Sequence, residues 1–126
     1  MTAADQRTPR VLLVEDEHIV AAALSRGLRM CGAEVVGPAA TVANALDLIE
    51  SSAAIDGALV DINLRGTLAY DVVDRLIANR VPTVLTTGYE TSVVPSRYRE
   101  LVVLQKPFDA MDAMDALFSR GTTIRS

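Results

Sequence analysis

The strongest constraint on the fold of this chain of 126 residues is the regular alternation of two apolar patterns. Short unbroken runs of β-branched and other aliphatic residues are typical of strands covered on both faces. They alternate with longer segments in which apolar residues recur every three or four positions, as in amphipathic helices. The predicted strands are 11–14, 34–37, 58–61, 82–87 and 101–104. This alternation predicts an α/β fold, a doubly wound parallel sheet of five strands with helices on both faces.

The helical segments are less uniform than the strands. The apolar period predicts helices over 19–30, from the N-cap Thr41 through Ile49, over 68–78, and after Pro107, with Gly32 ending the first. In the helix over 68–78 and the helix after Pro107, the predicted inward positions are Val72, Val73, Leu76, Ile77, Met111, Met114, Leu117 and Phe118. Between Gly88 and Leu101 the chain contains Pro95 and β-branched neighbours. We therefore expect the fourth helix to be short or irregular.

Composition sets the class of protein. Half of the residues are hydrophobic and the net charge is −4, which gives no electrostatic reason to expect binding to nucleic acid or to a membrane. Cys31 is the only cysteine, so no internal disulfide can form; we expect it in the core and the protein in the cytoplasm. The polar N-terminus does not resemble a signal peptide. We expect a flexible leader over 1–8, one domain over 9–120 and a flexible tail over 121–126.

Polar residues follow the predicted strands at the points where they end. The first strand is followed by Glu15-Asp16-Glu17, the third ends in Asp61, the fourth in Thr86-Thr87-Gly88, and the fifth in Gln105-Lys106-Pro107. In open parallel sheets, ligands bind outside the carboxyl ends of the strands. The sequence therefore predicts that acids, a hydroxyl and an ammonium meet at one edge of the sheet.

Such a group of acids needs a cation. Two carboxylates about 5 Å apart repel by roughly 3 kcal/mol at an effective dielectric constant of 20, and a third carboxylate adds to this. A cluster of this kind binds a cation or has raised pKa values. Mg²⁺ prefers oxygen ligands and keeps positions open for water and phosphate oxygens. Lys106 carries one charge against three, so it cannot replace the metal, but it can bind a phosphoryl oxygen.

From about Arg10 to Ser119 the chain resembles the receiver domains of two-component response regulators. The matching segments, in order, are Val11-Leu12-Leu13-Val14-Glu15-Asp16, Asp61 with Asn63, Thr87-Gly88, and Lys106-Pro107-Phe108. The resemblance implies a flavodoxin-like sheet with strand order 2-1-3-4-5. It also implies a phosphorelay partner, either a sensor histidine kinase or a histidine phosphotransfer protein, and a cis bond before Pro107.

The resemblance assigns a role to each matching residue. Asp61 is the expected phosphorylation site of a phosphoacceptor that is not an enzyme but assists its own phosphoryl transfer and dephosphorylation. The expected ligands of Mg²⁺, or of Mn²⁺ in its place, are Asp16, Asp61, the backbone carbonyl of Asn63 and, through water, Glu15. The expected phosphoryl-binding and switch residues are Lys106, Thr87 and Gly88.

Three features depart from the family pattern. Val103 stands three residues before the lysine, where the family often has an aromatic residue that moves with the threonine. The proline that is frequent after the phosphorylated aspartate is missing from Asn63-Leu64-Arg65-Gly66. Thr86-Thr87-Gly88-Tyr89 resembles a subgroup with a Phe-Ala-Thr-Gly motif, with Leu85 and Thr86 in place of its Phe and Ala. Tyr89 is a candidate switch aromatic in place of the missing one; the alternative is a loop tyrosine that packs on the sheet.

Two other functions remain open at this point. Aspartyl-phosphate hydrolases of the haloacid-dehalogenase type also use a strand-end aspartate and Mg²⁺, but they have an Asp-x-Asp motif where this chain has Glu15-Asp16-Glu17. A degenerate receiver would serve only as a binding module. We expect Glu17, His18 and the Arg97-Tyr98-Arg99 group to be solvated.

Overall fold

The computed structural model describes residues 8–88 and 94–118. The predicted leader up to residue 7, the predicted tail and Tyr89 lie outside these residues. The elements in chain order are β1 Arg10–Val14, α1 His18–Met30, β2 Glu34–Ala39, α2 Val42–Ser51, β3 Gly57–Asp61, β4 Asn63–Leu64, β5 Thr67–Leu68, α3 Tyr70–Ala78, β6 Thr83–Thr87, a 3₁₀ helix Ser96–Tyr98, β7 Val102–Gln105 and α4 Ala110–Phe118.

One parallel sheet of five strands forms the centre of the fold. Its strand order is β2-β1-β3-β6-β7, and each neighbouring pair is parallel. Because β4 and β5 form a separate hairpin, β6 and β7 are the fourth and fifth of the predicted strands. The predicted fold class and the order 2-1-3-4-5 are therefore confirmed. Between Gly88 and Leu101, the described residues hold only the one-turn 3₁₀ helix, as expected for a short or irregular fourth helix.

The core is divided into two clusters by the sheet. Val11 and Leu13 of β1 belong to one cluster, which α1 and α4 cover. Leu12 and Val14 point to the opposite face and belong to the other cluster, which α2 and α3 cover. All four side chains are fully buried. The unbroken apolar run of β1 thus serves both faces at once, as its sequence predicts.

Capping residues set the ends of two elements as predicted. The Thr41 side-chain oxygen accepts a hydrogen bond of 3.1 Å from the backbone N–H of Asn44, which satisfies a free donor in the first turn of α2. After α1, Gly32 adopts a φ of +96°, a conformation that favours glycine. None of the helices in the described part of the chain is long and apolar enough to cross a membrane.

Three predicted core positions are wrong. Ile77 is 43% exposed, because Val72, Val73 and Leu76 already cover the inward face of α3 and Ile77 lies beside that face. Met111 is 62% exposed in the first turn of α4, whose buried residues are Ala113 and Leu117. Cys31 is only half-buried because it is the C-cap of α1, at the edge of the core.

The β4–β5 hairpin was not predicted. Its turn consists of Arg65 and Gly66, with φ values of +53° and +91°. Two successive positive φ angles are typical of the tight turns that join hairpin strands. The Asn63 side-chain oxygen accepts a 2.6 Å hydrogen bond from the Gly66 N–H and so closes the turn. The hairpin directly follows Asp61, which brings its turn beside the carboxyl end of the sheet.

Candidate functional site

Three buried carboxylates meet at the carboxyl end of the sheet. Glu15 and Asp16 follow β1, and Asp61 is the last residue of the neighbouring strand β3. One oxygen from each residue can be chosen so that all three lie within 4.8 Å of one another. These residues are 2%, 8% and 5% exposed. Because β1 and β3 are parallel and pair Val14 with Val60, the acids follow both strands at the same level.

Lys106 directs its ammonium group into this cluster. The Lys106 Nζ lies 2.7 Å from Asp61 Oδ2 and 2.8 Å from Glu15 Oε1. Its backbone N–H donates to the Thr87 carbonyl at 2.8 Å, and the bond to Pro107 is cis, as expected. We call Glu15, Asp16, Asp61 and Lys106 the acidic edge.

The pKa values at the acidic edge follow from burial and from these contacts. Burial raises the pKa of Glu15; the Lys106 hydrogen bond opposes this effect, while the charge of Asp61 adds to it. Burial alone would lower the pKa of Lys106, but its hydrogen bonds to Asp61 and Glu15 outweigh burial and the pKa is raised. Lys106 therefore stays protonated, and Glu15 and Asp61 share its ammonium group.

Thr87 carries an unsatisfied hydroxyl close to this group. It is the last residue of β6, it is 1% exposed, and its Oγ1 has no hydrogen-bond partner among the described residues. A buried polar atom without a partner costs about 1–3 kcal/mol, so such atoms often serve a ligand. Beside Gly88 the space is open: an added Cβ would meet none of the described atoms within 4 Å.

Asn63 and Arg65 connect the hairpin to the acidic edge. The Asn63 N–H donates to Asp61 Oδ1 at 3.0 Å, while its side chain closes the turn. Arg65 Nε lies 3.2 Å from Asp16 Oδ2. This Arg65 contact was not predicted from the sequence; Gly66 favours a tight turn, but nothing local indicates that the arginine reaches Asp16.

The expected solvation of the Arg97-Tyr98-Arg99 group is wrong for Tyr98, which is 1% exposed. Its hydroxyl donates a 2.6 Å hydrogen bond to Asp74 Oδ1 on α3. The Arg97 guanidinium group lies over two aromatic rings, 4.6 Å from the centre of Tyr98 and 5.4 Å from that of Tyr70. These four residues, Tyr70, Asp74, Arg97 and Tyr98, form what we call the tyrosine cluster. Glu17 and His18 are exposed, as expected.

The donor set of the acidic edge fits a hard divalent cation. All three side chains offer carboxylate oxygens, which Mg²⁺ and Mn²⁺ prefer. Three carboxylates against the Lys106 ammonium group and the exposed Arg65 guanidinium group leave a net negative charge in a buried site, and a divalent cation would balance it.

Comparisons with known proteins point to one family. The chain is 38% identical to SdrG from Sphingomonas melonis Fr1, whose solution structure matches with a TM-score of 0.77 over 93% of this chain and 96% of that one. A response regulator receiver protein from Sinorhizobium medicae WSM419 matches at 26% identity and a TM-score of 0.72, over 89% and 93% of the two chains.

A curated relative agrees with these structures. The transcriptional regulatory protein PdtaR from Mycobacterium tuberculosis is 30% identical over an alignment of 121 positions that covers 92% of this chain. The chain spans 58% of the length of PdtaR. No protein-family model matches the chain. Taken with the sheet order, the likeness to SdrG and to a receiver protein over nearly their full length leads to one conclusion: the chain belongs to the receiver domains of the response-regulator family.

Proposed function

We propose that this receiver takes a phosphoryl group from a phosphohistidine onto Asp61, with Mg²⁺ as cofactor. One observation carries the proposal: the Asp61 carboxylate lies between two further buried acids and the Lys106 ammonium group, 2.7 Å away. A structural ion pair needs one carboxylate for one ammonium group. Even with Asp16 paired to Arg65, one carboxylate is in excess of the side-chain cations, and a divalent cation explains it.

The chemistry requires positioning and charge neutralisation. A carboxylate oxygen of Asp61 attacks phosphorus, the bond from phosphorus to the histidine nitrogen breaks, and the electron pair leaves with the imidazole. Asp16 and Asp61, the carbonyl of Asn63 and, through water, Glu15 would hold Mg²⁺, which supplies charge neutralisation for the phosphoryl oxygens when bound. Lys106 neutralises a further oxygen as charge develops. No general base is required, because an ionised carboxylate is already a nucleophile.

Thr87 is the residue through which phosphorylation changes the protein surface. Its buried hydroxyl donates to a phosphoryl oxygen and thereby gains the partner that it lacks among the described residues. The N–H of the neighbouring Gly88 serves as a second donor in this proposal, and the space beside Gly88 is open among the described atoms. Movement of Thr87 alters the start of the segment between β6 and β7, and so changes which downstream protein binds. The downstream partners are thus proteins, neither nucleic acid nor membrane, and the setting is cytoplasmic.

The test uses a small phosphodonor. Incubation with acetyl phosphate or carbamoyl phosphate and Mg²⁺ gives a labile adduct of about 80 Da, the mass of one phosphoryl group, in intact-mass spectra. Asp61→Asn gives no adduct. The matched control Asp115→Asn removes an exposed carboxylate of α4 and keeps full adduct formation. An adduct that persists in Asp61→Asn contradicts the assignment.

The same preparation tests the two other functions. Turnover of a chromogenic phosphomonoester would favour an aspartyl-phosphate hydrolase, and we expect none, because Glu15-Asp16-Glu17 lacks the Asp-x-Asp motif of those enzymes. A degenerate receiver would bind no Mg²⁺ and form no adduct.

A further inference from the structure

The turn that follows Asp61 sets the backbone conformation of Arg65. Its φ of +53° and the +91° of Gly66 define a tight hairpin turn. The Asn63 side chain closes this turn, and the Asn63 N–H ties it to the Asp61 carboxylate at 3.0 Å. The turn thus places the backbone of Arg65 beside the acidic edge.

From this turn Arg65 contacts Asp16 and no other acid of the acidic edge. Its Nε lies 3.2 Å from Asp16 Oδ2, and its Nη2 is 3.4 Å from the Asp16 carbonyl oxygen. Lys106 contacts the other two acids, Glu15 and Asp61. The three carboxylates are therefore shared between two side-chain cations from separate segments of the chain.

The two cations differ in exposure. The Arg65 side chain is 72% exposed, whereas that of Lys106 is 20% exposed. Because the Arg65 side chain is already largely in solvent, it loses little packing when its contact with the buried Asp16 breaks. A divalent cation that binds Asp16 uses the same negative charge. Each positive charge at Asp16 weakens the attraction for the other.

We propose that Arg65 is a built-in competitor of the divalent cation at Asp16. The guanidinium group is displaced as the cation binds, which raises the cation concentration needed to fill the site. This inference rests on the proposed function, because it takes Asp16 as a metal ligand. It makes metal occupancy, and with it phosphorylation, responsive to Mg²⁺ concentration.

The test is a Mg²⁺ titration of the full chain, followed by NMR through the backbone amide shifts of Asp16 and Asn63. Arg65→Gln lowers the apparent Kd for Mg²⁺ about three- to tenfold. Arg65→Lys, which keeps the charge but not the guanidinium geometry, gives an intermediate value. The control Arg75→Gln removes the same charge from an exposed pair with Glu50, outside the acidic edge, and changes Kd less than about twofold.

A second readout follows Arg65 itself. In wild-type protein its Nε–H resonance shifts during the titration with the same midpoint as the Asp16 amide. A purely structural role in the hairpin would change the unfolding midpoint of Arg65→Gln and leave the Mg²⁺ midpoint unaltered, which would overturn the inference.

The remaining outcomes are distinct. If Arg65→Gln binds Mg²⁺ more weakly, Arg65 orients Asp16 and the inference is wrong, while the proposed function stands. If neither wild type nor Arg65→Gln shows shifts that Asp16→Asn abolishes, the metal site of the proposed function fails together with the inference.

Discussion

The acidic edge and the tyrosine cluster both combine carboxylates with basic side chains, yet their charges are balanced differently. In the tyrosine cluster one carboxylate, Asp74, has two partners: hydrogen bonds from Tyr98 and Arg97 lower its pKa. At the acidic edge, burial raises the pKa of Glu15 against the pull of Lys106. In the tyrosine cluster, the Asp74 carboxylate is balanced by Arg97. At the acidic edge, negative charge exceeds positive charge. The comparison indicates that the tyrosine cluster stabilises the fold and that the acidic edge is arranged for a ligand.

The largest effect is expected in the tyrosine cluster. Tyr98→Ala removes a fully buried ring that packs against Tyr70 at a centroid distance of 5.9 Å, and lowers the free energy of unfolding by about 3–4 kcal/mol. Tyr98→Phe keeps the ring, loses the hydrogen bond to Asp74 and costs about 1 kcal/mol. Urea denaturation measures both. A cost below about 1 kcal/mol for the alanine variant would show that this cluster does not support the fold.

A smaller loss of stability is expected when the basic side chain of each region, Lys106 or Arg97, is replaced, and the loss differs between the two regions. Lys106→Met leaves Glu15 and Asp61 without their shared donor and costs about 2 kcal/mol in the absence of Mg²⁺, a value reduced for the partial exposure of the lysine. Arg97→Met, with its side chain 54% exposed, costs less stability than Lys106→Met. If Arg97→Met is less stable than Lys106→Met, the inferred difference in charge balance between the two regions is wrong.

Urea denaturation with and without Mg²⁺ sharpens this contrast. Mg²⁺ reduces the cost of Lys106→Met, since the cation takes over part of the charge balance. It leaves the cost of Arg97→Met unchanged.

The smallest effect has the opposite sign. Glu15→Gln removes one of the competing acids and raises the free energy of unfolding, by up to about 1 kcal/mol, at neutral pH without Mg²⁺. The folded-state pKa of Glu15 is raised above its ordinary value of 4.5, so wild-type stability falls as pH rises from there through the raised pKa. The gain of the variant therefore grows across that window and is constant above it. Urea denaturation from pH 4 to 8 measures the gain, and a gain that is largest at acid pH would contradict the assignment.

Much of the fold and of the acidic edge could be predicted from the sequence, because both follow from strand ends. The unbroken apolar run of β1 predicts a buried strand from local sequence alone. The rule for parallel sheets then places the acids that follow it at the edge where ligands bind. Asp61 and Lys106 follow from the same rule, and the structure brings them to 2.7 Å. Their roles as phosphorylation site and phosphoryl-binding residue stay predictions.

The features that sequence analysis missed depend on contacts between segments or on very short elements. The β4–β5 hairpin has only two residues in each strand, too few for a periodic signal. The partner of Tyr98, Asp74, is 24 residues away on a helix, and nothing local to Arg97-Tyr98-Arg99 indicates that the ring turns inward. Ile77 and Met111 fit the apolar pattern of their helices but stay exposed among the residues that the structure describes.

The pairing of Val14 with Val60 also links the site to the core. Because side chains alternate along a strand, inserting one residue into β1 would exchange the apolar residues of the two faces and, in the same step, shift Asp16 relative to Asp61. Such an insertion would therefore disturb the core and the site together. New specificity in this chain must therefore arise through loops and single substitutions, with the central strands fixed in length.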